Sequence, residues 1–435
     1  MAGGQLVEWR GERALARGLD DVAYGDVVSI DGAGQAIVTA LRDGELELAP
    51  LTTRVPARGA GVRRIGPHAI VAGPSLVGRA IDVTGEPTDA RGPLRCDTLH
   101  RVFGRDPVTW PYVPPRRLTT GLLVFDLQRQ LAVGSSFFVT GPREVAMHLM
   151  SHQHAADRIC VVATPAVTRR AYQVMRRPAL PCIHVAPAED ASAVQQWLVP
   201  WTAIAIADGL RAQGHDVVVL VDDIDSWRPH LAHGLPRGSL ATQLAQLSAR
   251  AYATERGSVS LFARVATQTP AIAAAFDGSL DLELAVLGHA SRPATKYVRP
   301  PYKVPAPQLL ARSVIDSAQL AELERHRPWL RAHPKLDLAT RTLIAGGQKA
   351  REILRFRAGM SLDGLEQLAC ALAAQHVLEL QAEAVGAFID AYLPLLRREH
   401  GARLDAIRKT GALDDEDMRA LLALAMTTAA PFLLS

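Results

Sequence analysis

The chain has 435 residues, too many for one hydrophobic core and enough for two or three domains of roughly 100 to 200 residues each. Hydrophobic residues make up 48%, charged residues 21% and aromatics 5%, which excludes chain-wide disorder and a coiled-coil array. A formal net charge of +4, from 48 Lys+Arg against 44 Asp+Glu, is too balanced to imply a nucleic-acid partner, so any basic site has to be local.

Met1 to Gln5 carries no basic segment followed by an apolar run, so no secretory signal is expected. Cys96, Cys160, Cys182 and Cys370 form no CxxC pair, which points to a reducing compartment without a zinc site or disulfide framework. From Tyr24 to Ala72, short β-branched runs alternate with Asp31-Gly32 and Asp43-Gly44, which predicts a small antiparallel barrel, domain 1–72. About twenty residues precede the predicted barrel, whose first predicted strand starts at Asp26.

Beyond Ser136 the pattern becomes apolar strand, turn, helix. Predicted strands are Phe137 to Thr140, Ile159 to Val162, Cys182 to Val185, Val217 to Val221 and Ser258 to Val265. Uncharged β-branched runs alternating with helices define a parallel sheet covered on both faces, domain 73–308. The apolar stretch Ala191 to Ala207 contains Gln195, Gln196 and Pro200, which favours a buried helix over a membrane span. Past Leu309, apolar residues recur at helical spacing in Leu320 to Leu323, Leu338 to Leu354, Leu362 to Leu378 and Ala384 to Leu396, a helical bundle over 309–435. Phe388, Ala391, Tyr392 and Leu395 share one predicted face.

A strand entering Gly141-Pro-Arg-Glu-Val-Ala-Met-His148 has the placing of a P-loop, in which backbone N–H groups wrap phosphate, Lys neutralises it and a hydroxyl holds Mg²⁺. The last three places here read Ala146, Met147 and His148. Methionine brings no charge, and histidine prefers softer metals than Mg²⁺. Asp222 and Asp223 end an apolar strand as a Walker B carboxylate does, a pattern also common in other α/β proteins.

Two segments carry a specific resemblance. Thr120 to Asp126, with Gly134 and Gly141 following, is similar to the run that leads into the P-loop of F-type ATP synthase α and β subunits. Leu76 to Pro87 with Gly92-Pro93 resembles the segment that opens their nucleotide domain. The α subunit is favoured by Val194 to Trp201, by the paired Asp222-Asp223, and by Leu336 to Leu343, Arg351 to Arg355 and Leu404 to Gly411; the resemblance covers roughly residues 20 to 425.

This resemblance implies a barrel, a RecA-like P-loop-type α/β domain and a helical domain. It implies a non-catalytic α-type subunit that alternates with catalytic β-type subunits around a γ-type central stalk, on the cytoplasmic side of a bacterial inner membrane or in the cytoplasm. Membrane contact would be only through the complex. Residues of the family's nucleotide site are altered together: Met147 and His148 stand for Lys and Thr, Ala166 for a polar residue after the next strand, and Phe356 and Ala358 for two glutamines beside the adenine. Lys303 stands at the position of the family's interfacial arginine, and the loop near Leu235 to Gly238 is shortened. No cofactor is therefore expected, with ATP and Mg²⁺ bound only if the altered site still grips them.

Several residues keep a plainer reading. Arg143 is either a P-loop-type arginine or a surface residue, His148 a helix-start residue satisfied by backbone or solvent, Lys303 a solvated loop lysine. Arg169, Arg170, Arg176 and Arg177 suit a polar face or a subunit contact. Rival functions are an α subunit that still binds ATP and a free-standing pseudo-ATPase scaffold or regulator. The short segment before the barrel leaves contact with a peripheral stalk in question.

Overall fold

The computed structural model describes residues 3–52, 54–95, 98–104, 116–126, 131–165, 180–188, 191–227, 240–287, 338–357, 359–410 and 413–433, with side chains for all of these except 338–341 and 343. Cys96, Ala166, Arg169, Arg170, Arg176, Arg177, Leu235 to Gly238, Lys303, the predicted helix at Leu320 and Ala358 lie outside the described residues. The chain divides into two compact units. One comprises Met1–Pro114, Val133–Thr140 and Ala156–Ser279; the other comprises Pro115–Ala132, Gly141–Ala155 and Leu280–Ser435.

In the first unit, six strands close a barrel: β1 (Gly4–Arg10), β2 (Arg13–Arg17), β3 (Asp26–Ile30), β4 (Gly34–Arg42), β5 (Glu45–Pro50) and β6 (Gly61–Pro67), in the order β1-β2-β5-β4-β3-β6. Asp43 (φ 45°) and Gly44 (φ 78°) both take positive φ between β4 and β5, the geometry that matches the twist of a two-residue hairpin. Leu6, Ala14, Ala16, Val28, Val38, Leu48 and Val62 fill the interior.

The barrel thus starts earlier than the predicted strand at Asp26, because β1 and β2 belong to it. Their inward residues are few and small, Leu6, Ala14 and Ala16, while Arg10, Arg13 and Arg17 point outward. Alanine has little strand preference, so charge masks the alternation.

The same unit holds a parallel sheet, six of whose strands run in the order Ser136–Thr140, Ser258–Arg264, Asp216–Val221, Ile159–Ala163, Ile183–Val185, Ala80–Ile81. Val217, Val219 and Val221 are fully buried, as expected for strands covered on both faces. The apolar stretch after Ala191 forms the helix Ala193–Ala212, started by a capping box between Ser192 and Gln195. Trp197 stacks on Phe103 at 5.6 Å and donates from Nε1 to Gln243 Oε1 at 2.8 Å, so the family-like tryptophan segment is core packing. Among the described residues no helix is long and apolar enough to cross a membrane.

His68, where β6 ends, is 6% exposed, and its Nε2 atom is buried without a hydrogen-bond partner. Burial pushes its pKa down to about 4 from an ordinary 6.5. The unfolded chain therefore takes the proton first. Stability that is complete above pH 6.5 declines as the pH falls towards 4, by roughly 3 kcal/mol in all. His68→Gln is expected to flatten this part of the stability profile, measured by urea unfolding at stepped pH; an unchanged slope would show that His68 does not set it.

In the second unit the helices Leu338–Leu354, Gly364–His376, Val385–Thr410 and Asp415–Leu433 share one core with Leu123. Phe388 and Tyr392 stack at 5.6 Å and are fully buried. The buried row continues to Leu396, whereas Ala391 and Leu395 of the predicted face are only partly covered. The fully buried surface is thus a single i, i+4 row, narrower than the face inferred from spacing.

Candidate functional site

Strand Ser136–Thr140 runs into Gly141, where φ is +106° and a Cβ would stand 2.9 Å from the Glu283 amide nitrogen. Only glycine fits this turn. The helix Arg143–Ala155 then begins at once, and the Ala146 N–H is already bonded to Pro142 O at 3.3 Å. A phosphate-binding loop needs its amides free and convergent. Here the amides from Ala146 onward enter the helix's own i to i−4 ladder. Ala146 and Met147 are 1% and 9% exposed, so both face inward. Arg143 occupies the first helical position.

Above this helix sits a frame built by one carboxylate. Asp126 accepts from the Thr120 amide at 2.7 Å, from Thr120 Oγ1 at 2.9 Å and from the Gly121 amide at 2.8 Å. This is what the family-like run from Thr120 to Asp126 does physically: it ties a turn. Gly121 (φ +73°) has no room for a side chain, since a Cβ would lie 2.5 Å from His152 Cγ. His152 bridges the frame to the helices. Its Nδ1–H donates to Leu362 O at 2.6 Å, which leaves Nε2 to accept from Thr119 Oγ1 at 2.8 Å in the neutral ring.

His148, the residue at the Mg²⁺-hydroxyl position, lies on the same helix. Its Nε2 faces Gly121 O at 3.2 Å, and a carbonyl can only accept, so that nitrogen carries the proton. Burial, with His152 nearby, pulls its pKa below the ordinary histidine value, which keeps the ring neutral at pH 7. Phe356, which the resemblance sets beside the adenine, meets the His148 ring edge to face at 5.0 Å between centroids. The Phe356 amide is held by Ala285 O at 2.7 Å.

Asp222 and Asp223 belong to the first unit. Asp222 is fully buried and ion-paired with Arg264, which stands beside it because Val221 and Ala263 are in register. Asp223 takes a positive φ of 57°, and burial together with the Asp222 charge raises its pKa. A carboxylate already compensated by a guanidinium has less need of a metal ion. Among the described residues, no three His, Cys, Asp or Glu side chains gather as a metal site.

The second family-like segment is also architectural. Asp82 Oδ1 accepts from the Thr84 amide (2.9 Å), Thr84 Oγ1 (2.7 Å) and the Glu86 amide (2.9 Å), closing a turn around Gly85. Arg79 Nε donates to Asp89 at 2.7 Å and its Nη2 to Gly92 O at 2.6 Å. The guanidinium holds the Asp89 carboxyl well below the usual carboxylate range.

Spacing alone did not reveal His152, Gln367 or Arg264. Gln367 reaches Gly121 O at 3.0 Å from 246 residues away, and Arg264 pairs with Asp222 across 42. The readable signal was local: Arg-Glu-Val-Ala-Met after Pro142 is a run of good helix formers in which alanine replaces the P-loop's second glycine.

Fold and site together define an α/β chain with an N-terminal barrel and C-terminal helices, in which the strand-to-helix corner of a P-loop protein is kept. The residues at that corner are a helix start at Arg143, a buried thioether and an imidazole that meets a phenyl ring. No family model matches the chain. It is 28% identical over 409 residues to ATP synthase subunit alpha 2 of Burkholderia thailandensis, a match covering 80% of this chain and 71% of the relative. It is also 28% identical over 454 residues to ATP synthase subunit alpha 2 of Burkholderia pseudomallei, covering 90% of this chain and 64% of that relative. ATP synthase subunit alpha 3 of Paraburkholderia xenovorans is 30% identical over 234 residues, covering 48% of this chain and 42% of the relative. Over 80–90% of its length the chain is thus similar to ATP synthase alpha subunits.

Proposed function

We propose that this protein is a non-catalytic α-type subunit of an F-type rotary ATPase or ATP synthase, holding β-type catalytic subunits in a ring around a γ-type stalk, with its own nucleotide site given up. The complex would sit at the cytoplasmic face of a bacterial inner membrane, and the chain would reach the membrane only through its partners. One observation carries the reading: the helix begins at Arg143, and the Ala146 amide, at the place of the phosphate loop's second glycine, is already bonded to Pro142 O. Alongside it, the turns tied by Asp82, Asp89 and Asp126 keep the parts of the family pattern that serve folding. A protomer that has kept its frame and dropped its phosphate grip is suited to packing between working neighbours.

The test is the composition of the native complex. A tagged chain purified from its own cells is expected to bring down a β-like ATPase in a ring-sized assembly. Recovery of the chain alone, or with partners unrelated to ATPases, would support a free-standing scaffold and overturn the ring.

A further inference from the structure

Once the phosphate loop is wound, the helix Arg143–Ala155 and the segment after Leu354 no longer have a ligand to join them, yet the structure joins them through side chains. The His148 and Phe356 rings meet edge to face with centroids 5.0 Å apart, and His148 Nε2–H points to Gly121 O at 3.2 Å. Gly121 O also accepts from Gln367 Nε2 at 3.0 Å, and the Gly121 amide is held by Asp126 at 2.8 Å. On the other side, Phe356 N–H donates to Ala285 O at 2.7 Å, and Arg355 Nε to Val286 O at 3.2 Å. Both rings are half-buried, and each is anchored by its own backbone or nitrogen bond.

We propose that the Phe356 ring is a tethered occupant of the altered site: closed on His148, it supplies from within the chain the bridge between the 143–155 helix and the 355–357 segment. This rests on the reading of the site as having lost its nucleotide. A group held in place by the fold of its own chain has no translational entropy to lose on each closure. The bridge is therefore always made, and the second unit keeps one arrangement whatever the ATP supply. The positions at which the resemblance places base and magnesium contacts have become two halves of one internal contact.

A double-mutant cycle on the full chain tests the bridge. His148→Ala and Phe356→Leu are expected each to lower the melting midpoint by about 2–4 °C, and the double variant by clearly less than the sum of the two, because the contact they share is lost only once. Phe356→Leu keeps apolar bulk, so the fold survives and the missing ring is what is read. Strictly additive losses would overturn the proposal while leaving the lost nucleotide site intact. Saturable stabilisation of the unmodified chain by micromolar Mg-ATP would instead overturn the reading on which the bridge rests.

Discussion

Asp126→Ala is expected to destabilise the second unit by about 3–5 kcal/mol, among the largest effects of any single substitution in the chain. The carboxylate accepts from two backbone amides and a hydroxyl, all from Thr120 and Gly121, and Thr120 is fully buried. Removing the acceptor leaves buried donors without partners, at about 1–3 kcal/mol for each group. It also releases Gly121, whose carbonyl receives His148 and Gln367 and whose α-carbon packs against His152. Asp126→Asn keeps one carbonyl acceptor and is expected to lose less. Urea unfolding followed by far-UV dichroism reads the difference; an Asp126→Ala chain within 1 kcal/mol of the parent would show that the turn is held elsewhere.

Placing the P-loop residue types in this chain, Met147→Lys with His148→Thr, is expected to yield no nucleotide binding below the millimolar range and to destabilise the chain by about 3–5 kcal/mol. Met147 is 9% exposed, so the ammonium group would be buried without an anion. Threonine at position 148 would lose both the Phe356 contact and the Gly121 hydrogen bond. The substitutions return a charge and a hydroxyl, but they leave the helix start at Arg143 and the Ala146 N–H bonded to Pro142 O, whereas a phosphate loop turns that amide to its ligand. Micromolar Mg-ATP binding by this variant would mean that the corner has kept its original shape.

How much of this was legible in the sequence depends on the range of the interactions. The barrel from Asp26 onward announced itself through Asp-Gly turns between β-branched runs, since turn chemistry and strand alternation are both local. Strands β1 and β2 did not, because alanines do their inward packing. The parallel strands could be read from their uncharged valine runs, but their order could not. That order is what sets Arg264 against Asp222. At the corner, the residue types at 146 to 148 could be read directly, while the helix start depends on helix propensity against loop geometry across Arg143 to Ala146. The closure of Phe356 on His148 joins residues 208 positions apart by number, a distance over which no periodicity carries information.

The central claim is that the corner from Gly141 to His148 no longer grips a triphosphate. Equilibrium titration of the unmodified full chain with Mg-ATP, followed by calorimetry, tests it most directly. No saturable binding below the millimolar range is expected; a micromolar dissociation constant, abolished by competition with Mg-ADP, would contradict it.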